Sequence, residues 1–484
     1  MPHRVRRVFI ALIVFAAIAP ALRPQASLPT ASAGDRALVR DIFRELISIN
    51  TTDTPRGSVT AASTAMRKRL IDAGFPPQDV QLIGPDPNKQ NLVVRMRASG
   101  NASARPVLFL CHLDVVEALP SDWTTDPFEL VEKDGYFYGR GTEDMKDGDA
   151  LMVATFLRLH REGYQPKRDL ILALTADEEG GKFNGAQWLV SQHRDLVDAA
   201  YVINLDAGGI ELEHGKPVIA AVEATEKMYA DYQVTAFNRG GHSSLPRADN
   251  AIYALTTALN KLQAYTFPFE LNSVTRTYFA KLAEQESAPT AANLRAILAS
   301  PPDMAAVAKL SVEPSFNANL RTTCVATRMN AGHANNALPQ TAQAVVNCRI
   351  FPGHSPEEIR QQLIEILGDR QLSVKYVSDA GEISETAPSK MSISPPPPIP
   401  EVFNPLTRLV NAIWPNIPVT ALMENGASDS IYFAQAGIPS YGFSAIALER
   451  SDDRAHGKDE RIPVDSFWKS LDFYYAFTRA LGGE

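Results

Sequence analysis

Cysteine is nearly absent. The 484-residue chain carries only Cys111, Cys324 and Cys348, and so sparse and odd a set excludes a disulfide-stapled scaffold. Cys324 and Cys348 flank a turn and could face each other on paired strands, although free buried thiols fit as well. Basic runs are missing outside the extreme N-terminus, and the formal net charge is -8. That removes the electrostatic footprint of a nucleic-acid binder. No internal repeat or extended low-complexity tract occurs. No apolar run reaches the roughly 20 residues that span a bilayer. With 45% hydrophobic and 21% charged residues, what remains is an ordinary globular chain. It is long enough for two or three domains, or for one large domain with an insertion.

The N-terminus is built differently. Arg4, Arg6 and Arg7 precede Val8 to Ala19, twelve residues without charge or a hydrogen-bonding side chain. A basic start, a short apolar core and then small residues is the build of a secretory signal peptide, here with cleavage after Ala21 or Ala33. Residues 1–33 are therefore expected to leave. The mature protein is expected to be secreted or periplasmic, with no stable membrane span.

Buried-strand patterns are plentiful. Val107 to Cys111, Asp169 to Leu174 and Ala199 to Leu205 are apolar runs of the length expected for strands covered on both faces. Helical stripes separate or precede them at Ala37 to Ile49, Val59 to Ala73, Ala150 to His160 and about Ala186 to Ser191. The order predicts an α/β architecture whose binding edge lies at the carboxyl ends of the strands. Each run ends in donors: His112-Leu113-Asp114, then Asp177-Glu178-Glu179, then Asp206 before Gly208-Gly209. A glycine-rich loop, Gly139 to Gly148, supplies Asp144, and a polar loop before the closing helix supplies His456.

From about Lys227 the pattern changes. Alternating strands at Tyr229 to Phe237, Val325 to Met329, Ala342 to Phe351 and Ser373 to Val377 enclose helices at Ala251 to Ala264 and Ser355 to Leu367. Strand-helix-strand twice over is a ferredoxin-like α+β unit. The expected domains are a catalytic first part over 34–225, an inserted domain over 226–390 and a catalytic second part over 391–484. The inserted domain includes an extra helical stretch at about 266–315. Ser394-Pro395-Pro396-Pro397-Pro398 reads as a stiff linker.

His112, Asp144, Glu179, Asp206 and His456 are nitrogen and oxygen donors without a thiolate. Two histidines and three carboxylates suit two zinc-like ions bridged by one carboxylate. Glu178, beside ligand Glu179, is then placed to take a proton from a bridging water, and Asp114 to orient His112. Any one of these residues alone is also what a surface pair or a helix cap offers. Their order and strand-end placement together argue for a site.

The chain resembles metallopeptidase family 20, which includes aminoacylases, glutamate carboxypeptidases, carboxypeptidase S-like enzymes and succinyl-diaminopimelate desuccinylases. The matching stretches are HLD at 112–114, GRGTEDMK at 139–146, DEEGG at 177–181, LDAGG at 205–209 and GGHSS at 240–244. Asn336-Ala337-Leu338-Pro339, Arg349 and Ser428-Asp429 match as well. The resemblance implies a zinc-exopeptidase-like catalytic domain with a mixed, largely parallel sheet, and a ferredoxin-like lid and dimerisation domain. It implies two zinc ions, with cobalt or manganese as substitutes, bridged by Asp144 and a water. His112 and His456 would be terminal ligands on opposite ions, with Glu178 as general acid/base. His242 would stabilise the oxyanion, often across a homodimer, and Asn336 and Arg349 would hold the substrate, the arginine on a carboxylate.

The expected activity is hydrolysis of the amide bond to a C-terminal amino acid in small peptides or N-acyl amino acids. The alternatives are a non-peptide amide or ester cleaved on the same ions, and a binding protein that keeps the fold without turnover. Loss of a ligand or of Glu178 would favour the last, and none is lost. Two departures bear on substrate. The stretch 266–315 resembles that of the carboxypeptidase S-like branch and could obstruct the dimer. Ala387-Pro388-Ser389-Lys390-Met391 lacks the further arginine many relatives place there.

Overall fold

The computed structural model describes residues 28–100, 103–378, 381–390 and 395–483. The expected leader falls largely on residues 1–27, outside the described residues, as do 391–394 at the start of the proline linker. A ten-stranded mixed sheet forms the larger body. At its centre Val107–His112 pairs in parallel with Leu170–Thr175 on one side and Tyr201–Asn204 on the other. Ser440–Gly442 continues in parallel beside Tyr201–Asn204. Antiparallel strands flank this centre, Asn91–Met96 on one side and Lys216–Glu226 on the other.

The central strands read as unbroken apolar runs because helices cover both faces. Along one strand, Val107, Phe109 and Cys111 enter the cluster made with the helices Ala33–Ser48, Lys146–Arg161 and Val464–Gly482. Leu108 and Leu110 enter the opposite cluster, with Ala186, Leu189 and Phe433. Period-two alternation therefore carries no polar face here, and the polar residues collect at the strand ends.

A five-stranded antiparallel sheet forms the smaller body, in the order Thr323–Ala331, Thr341–Ile350, Met228–Phe237, Leu372–Val377, Ile383–Ser384. Ala251–Ala264 and Pro356–Leu367 pack on one face. The strand order is that of a ferredoxin-like unit. Cys324 and Cys348 face each other across this sheet and are joined by a disulfide; Cys111 is free and buried.

The helical stretch comprises Ser273–Gln285, Ala288–Leu298, Met304–Leu310 and Pro314–Asn319. Its sequence lies within 226–390, yet it packs on the large sheet. Tyr278, Phe279 and Leu282 bury against Ile219, Ala221 and Leu422 from the strands Lys216–Glu226 and Val419–Glu424. Those strands present an apolar face there, and the apolar sides of these helices cover it. Among the described residues no helix is long and apolar enough to cross a membrane.

Candidate functional site

The three central strands deliver their terminal residues to one point. His112 closes the Val107–His112 strand and is 2% exposed. Asp206 lies just beyond Tyr201–Asn204, and its turn is completed by Gly208 at φ +68. A Cβ at Gly208 would sit 2.5 Å from the Ala221 carbonyl oxygen, so only glycine fits. Asp144 comes from the loop before Lys146–Arg161, and His456 from the loop before the last helix.

Asp144 stands between the two histidines. Its Oδ1 is 2.9 Å from His112 Nε2, and its Oδ2 is 3.0 Å from His456 Nε2. His112 Nε2 is also 3.4 Å from Asp206 Oδ1, and His456 Nε2 is 2.8 Å from Glu179 Oε2. The five residues thus divide into two donor sets that share one carboxylate. Glu178 sits with the His112 and Asp206 set, ligand atoms within 4.8 Å of one another.

The electrostatics describe a place short of positive charge. Burial alone would depress His112, but Asp206 and Asp144 outweigh it and hold the imidazole well above its ordinary range. Hydrogen bonds to Asp144 and Glu179 push His456 up to about 10. Burial opposes ionisation of Asp144, yet the two histidines hold it below the usual carboxylate range. Burial lifts Asp206 to about 7, against the pull of His112, and lifts Glu178 well above its ordinary value, with Asp206 adding to the effect. Protons on imidazoles occupy the role that cations would take, and a bound cation would displace them. Glu179 Oε1 is buried without a hydrogen-bond partner, which is costly unless a cation receives it. Nitrogen and carboxylate donors of this kind fit zinc-like ions.

Asp114 acts differently from the expectation. Its carboxylate lies 3.8 Å from His112 Nδ1, whereas its main-chain carbonyl accepts from that nitrogen at 3.0 Å. The carboxylate instead accepts the peptide N–H groups of Glu178 at 3.1 Å and Glu179 at 3.0 Å. One residue therefore fixes both the ligand histidine and the loop carrying the two glutamates. That loop begins after Thr175, so its turn through Asp177 at φ +57, rather than strand alternation, separates Glu178 from Glu179.

Arg349 lines the same ≈ 1780 Å³ cavity as the donor cluster, with its guanidinium 4.9 Å from the Tyr229 ring centroid. His242 and Asn336 do not reach the cluster within one chain. They form an exposed unit of their own, in which His242 pairs with Ala337 and Ser243 donates to the Asn336 carbonyl at 3.0 Å.

Sequence reading missed two further residues. Lys227, fully buried between the Lys216–Glu226 strand of the large sheet and the Met228–Phe237 strand of the small one, donates to Thr323 Oγ1 at 3.2 Å. Burial, with Arg349 and Arg321 nearby, pulls it down to about 7. Its position at the change of pattern was the available signal. Asp429, in a matched stretch but without a role, accepts from Thr175 Oγ1 at 2.9 Å and Asn184 Nδ2 at 2.7 Å. It thereby ties its loop to the end of the Leu170–Thr175 strand.

Comparison with known proteins agrees with this geometry. The family model described as peptidase family M20/M25/M40 matches residues 108–480. An N-fatty-acyl-amino acid synthase/hydrolase PM20D1 of Xenopus tropicalis is 30% identical over 377 residues, covering 76% of this chain and 71% of that protein. A probable carboxypeptidase S-like 2 of Dictyostelium discoideum is 30% identical over 382 residues, covering 77% and 71%. The structure of an M20 family metallo-carboxypeptidase, Sso-CP2 from Sulfolobus solfataricus, superposes with a TM-score of 0.68 at 14% identity, covering 92% of this chain and 99% of that one. Its fold is the fold found here. The chain belongs to peptidase family M20/M25/M40 and is a hydrolase of the metallopeptidase and amidohydrolase type.

Proposed function

We propose that this hydrolase cleaves the amide bond between an acyl or aminoacyl group and a C-terminal amino acid, in small peptides or N-acyl amino acids. The observation that carries the reading is the Asp144 carboxylate, one oxygen facing His112 and the other His456. That is the arrangement required to share a ligand between two cations. His112, Asp144 and Asp206 would hold one ion, and His456, Asp144 and Glu179 the other. Zinc suits the donors, with cobalt or manganese as substitutes. Such ions supply Lewis-acid charge and lower the pKa of a water shared between them.

The remaining steps belong to the chain. Glu178 takes the proton of the attacking water and delivers it to the leaving nitrogen. Arg349 binds the substrate carboxylate through its forked donors, with the buried Lys227 amine nearby. Lys227 alone separates the strands Lys216–Glu226 and Met228–Phe237 of the two sheets. The smaller body would therefore close over the cavity by a hinge there and near residue 390. His242 and Asn336, remote from the cluster in their own chain, would complete the site of a second copy in a homodimer. The relatives named above support such substrates, and the basic and apolar N-terminus supports action outside the cytoplasm.

The test is metal analysis with a substrate screen. The mature protein should carry about two zinc-like ions and cleave dipeptides or N-acyl amino acids that have a free carboxylate. A protein with both ions bound that cleaves neither class, or is indifferent to loss of that carboxylate, sinks the substrate assignment.

A further inference from the structure

Two buried charged residues outside the donor cluster join the loops that present it. Arg140 is 2% exposed and Glu460 is fully buried, and they form an ion pair. Glu460 Oε1 accepts the peptide N–H of Glu143 at 2.8 Å and of Asp144 at 3.2 Å. Arg140 donates through Nη2 to the carbonyls of His456 at 3.2 Å and Gly457 at 3.0 Å. The Glu143 carboxylate accepts the Arg454 N–H at 3.0 Å, and Gly139 donates to the Glu460 carbonyl at 3.2 Å. The Asp144 loop and the His456 loop, more than three hundred residues apart in the sequence, are thus gripped by one pair. His456 needs the grip, because its φ of +64 is a left-handed backbone that side chains other than glycine seldom adopt.

The pair does not hold every ligand equally. His112 and Asp206 stand on central strands or immediately beyond them, positioned by the sheet. Asp144 and His456 stand on loops, and both face the ion that Glu179 would complete. We infer that Arg140 and Glu460 are positioning residues chiefly for that ion, setting the affinity and geometry of the half-site formed by His456, Glu179 and Asp144; the other ion shares only Asp144 of the two loop residues. Neither touches substrate or a ligand atom; they act through the main chain beside two ligands. Outer partners of this kind are worth about 10- to 100-fold in metal affinity. The inference rests on the two-cation reading above.

Equilibrium titration of the metal-free full chain with zinc, read against a chromophoric chelator, tests it. The wild type should take up two equivalents. Arg140→Lys keeps the charge but loses the fork that spans the ion pair and two carbonyls. It should bind one equivalent about 10- to 100-fold more weakly, and the other with a clearly smaller loss, through the shared Asp144 alone. At limiting zinc its kcat should fall, and excess zinc should restore it. Glu460→Gln, which keeps an oxygen acceptor for the Asp144 N–H, should show the same selectivity with a smaller loss. In a His456→Ala background, Arg140→Lys should add little, because both changes act on one ion. Equal weakening of both equivalents, or wild-type binding in a folded variant, overturns the inference. If Arg140→Lys does not fold by circular dichroism, the Glu460→Gln titration decides. A wild-type protein that binds no pair of ions fails the two-cation reading instead.

Discussion

The carboxylate of Asp114 accepts the peptide N–H of Glu178 at 3.1 Å. Its other oxygen takes the next N–H, of Glu179, and its own carbonyl takes His112 Nδ1. Asp114→Asn should therefore be damaging despite its shape, because the new amide NH₂ would face one of those N–H donors. The expected result is a 10- to 100-fold loss in metal affinity, of the size seen for outer partners of ligands, together with reduced kcat. Wild-type zinc binding and turnover in Asp114→Asn would show that the contact has no part in placing the loop.

Glu178 and Glu179 should fail in different ways. Glu178→Gln removes the proton carrier and leaves the ligands, so zinc content should stay at the wild-type level while kcat falls by at least about 100-fold. Glu179→Gln weakens a ligand of one half-site, so zinc is lost first and activity partly returns at high zinc. Identical behaviour of the two variants in metal content would contradict the division of roles.

The donor cluster that the structure brings together was legible in the sequence for a physical reason. Val107–His112, Leu170–Thr175 and Tyr201–Asn204 are buried on both faces, so their polar residues could only collect at their ends. His112 and Asp206 were visible there, and Glu178 and Glu179 a turn further on. What Asp114 does was not legible, since its carboxylate binds main-chain N–H groups that no residue type announces. The pairing of Arg140 with Glu460 was hidden for another reason, because long-range ion pairs leave no periodic trace. The stretch at about 266–315 read as helical, but helical composition does not name the surface it covers. That surface proved to be the Lys216–Glu226 and Val419–Glu424 strands of the large sheet rather than the small one.

The first helix bears on processing of the N-terminus. Ser32 caps it: Oγ accepts the Asp35 N–H at 3.1 Å, and Asp35 Oδ2 accepts the Ser32 N–H at 2.9 Å. Ala31 is buried and its N–H donates to Asp472 Oδ1 at 2.6 Å. Cleavage after Ala33 would remove all of these, whereas cleavage after Ala21 keeps them. A chain beginning at Gly34 should be less stable than one beginning at Leu22 by about 1–2 kcal/mol, the usual worth of a helix cap. Denaturant midpoints of the two forms give the comparison, and if the leader is removed, mass spectrometry of the processed protein should find residues 31–33 retained.

His354 links the smaller body to the segment that precedes the helical stretch. Its Nε2 lies 2.9 Å from Glu270 and its Nδ1 2.8 Å from Glu358. Burial would lower its pKa, but the two glutamates outweigh burial and raise it. A group whose folded pKa is raised contributes fully below its unfolded value, near 6.5, and loses that contribution as pH climbs through the folded value. The stability difference between wild type and His354→Gln should therefore be larger at pH 6 than at pH 9. For a partly exposed pair, its size should be no more than about 1 kcal/mol. A difference that grows with pH would reverse the assignment.

The separation of His242 from the donor cluster leads to a complementation experiment. His242→Ala and Glu178→Ala should each be nearly inactive, one lacking the oxyanion donor and the other the proton carrier. If His242 serves the second copy, a mixed dimer has one site with both groups intact and one with neither. Random assembly on co-expression should then restore about a quarter of wild-type activity, because half of the dimers are mixed and each carries one working site. If His242 served its own chain after closure of the smaller body, no mixed dimer would hold a complete site, and activity would stay at the level of the parents. Tandem affinity capture of two differently tagged chains would establish that mixed dimers formed, so that absence of rescue counts against exchange of His242 between subunits.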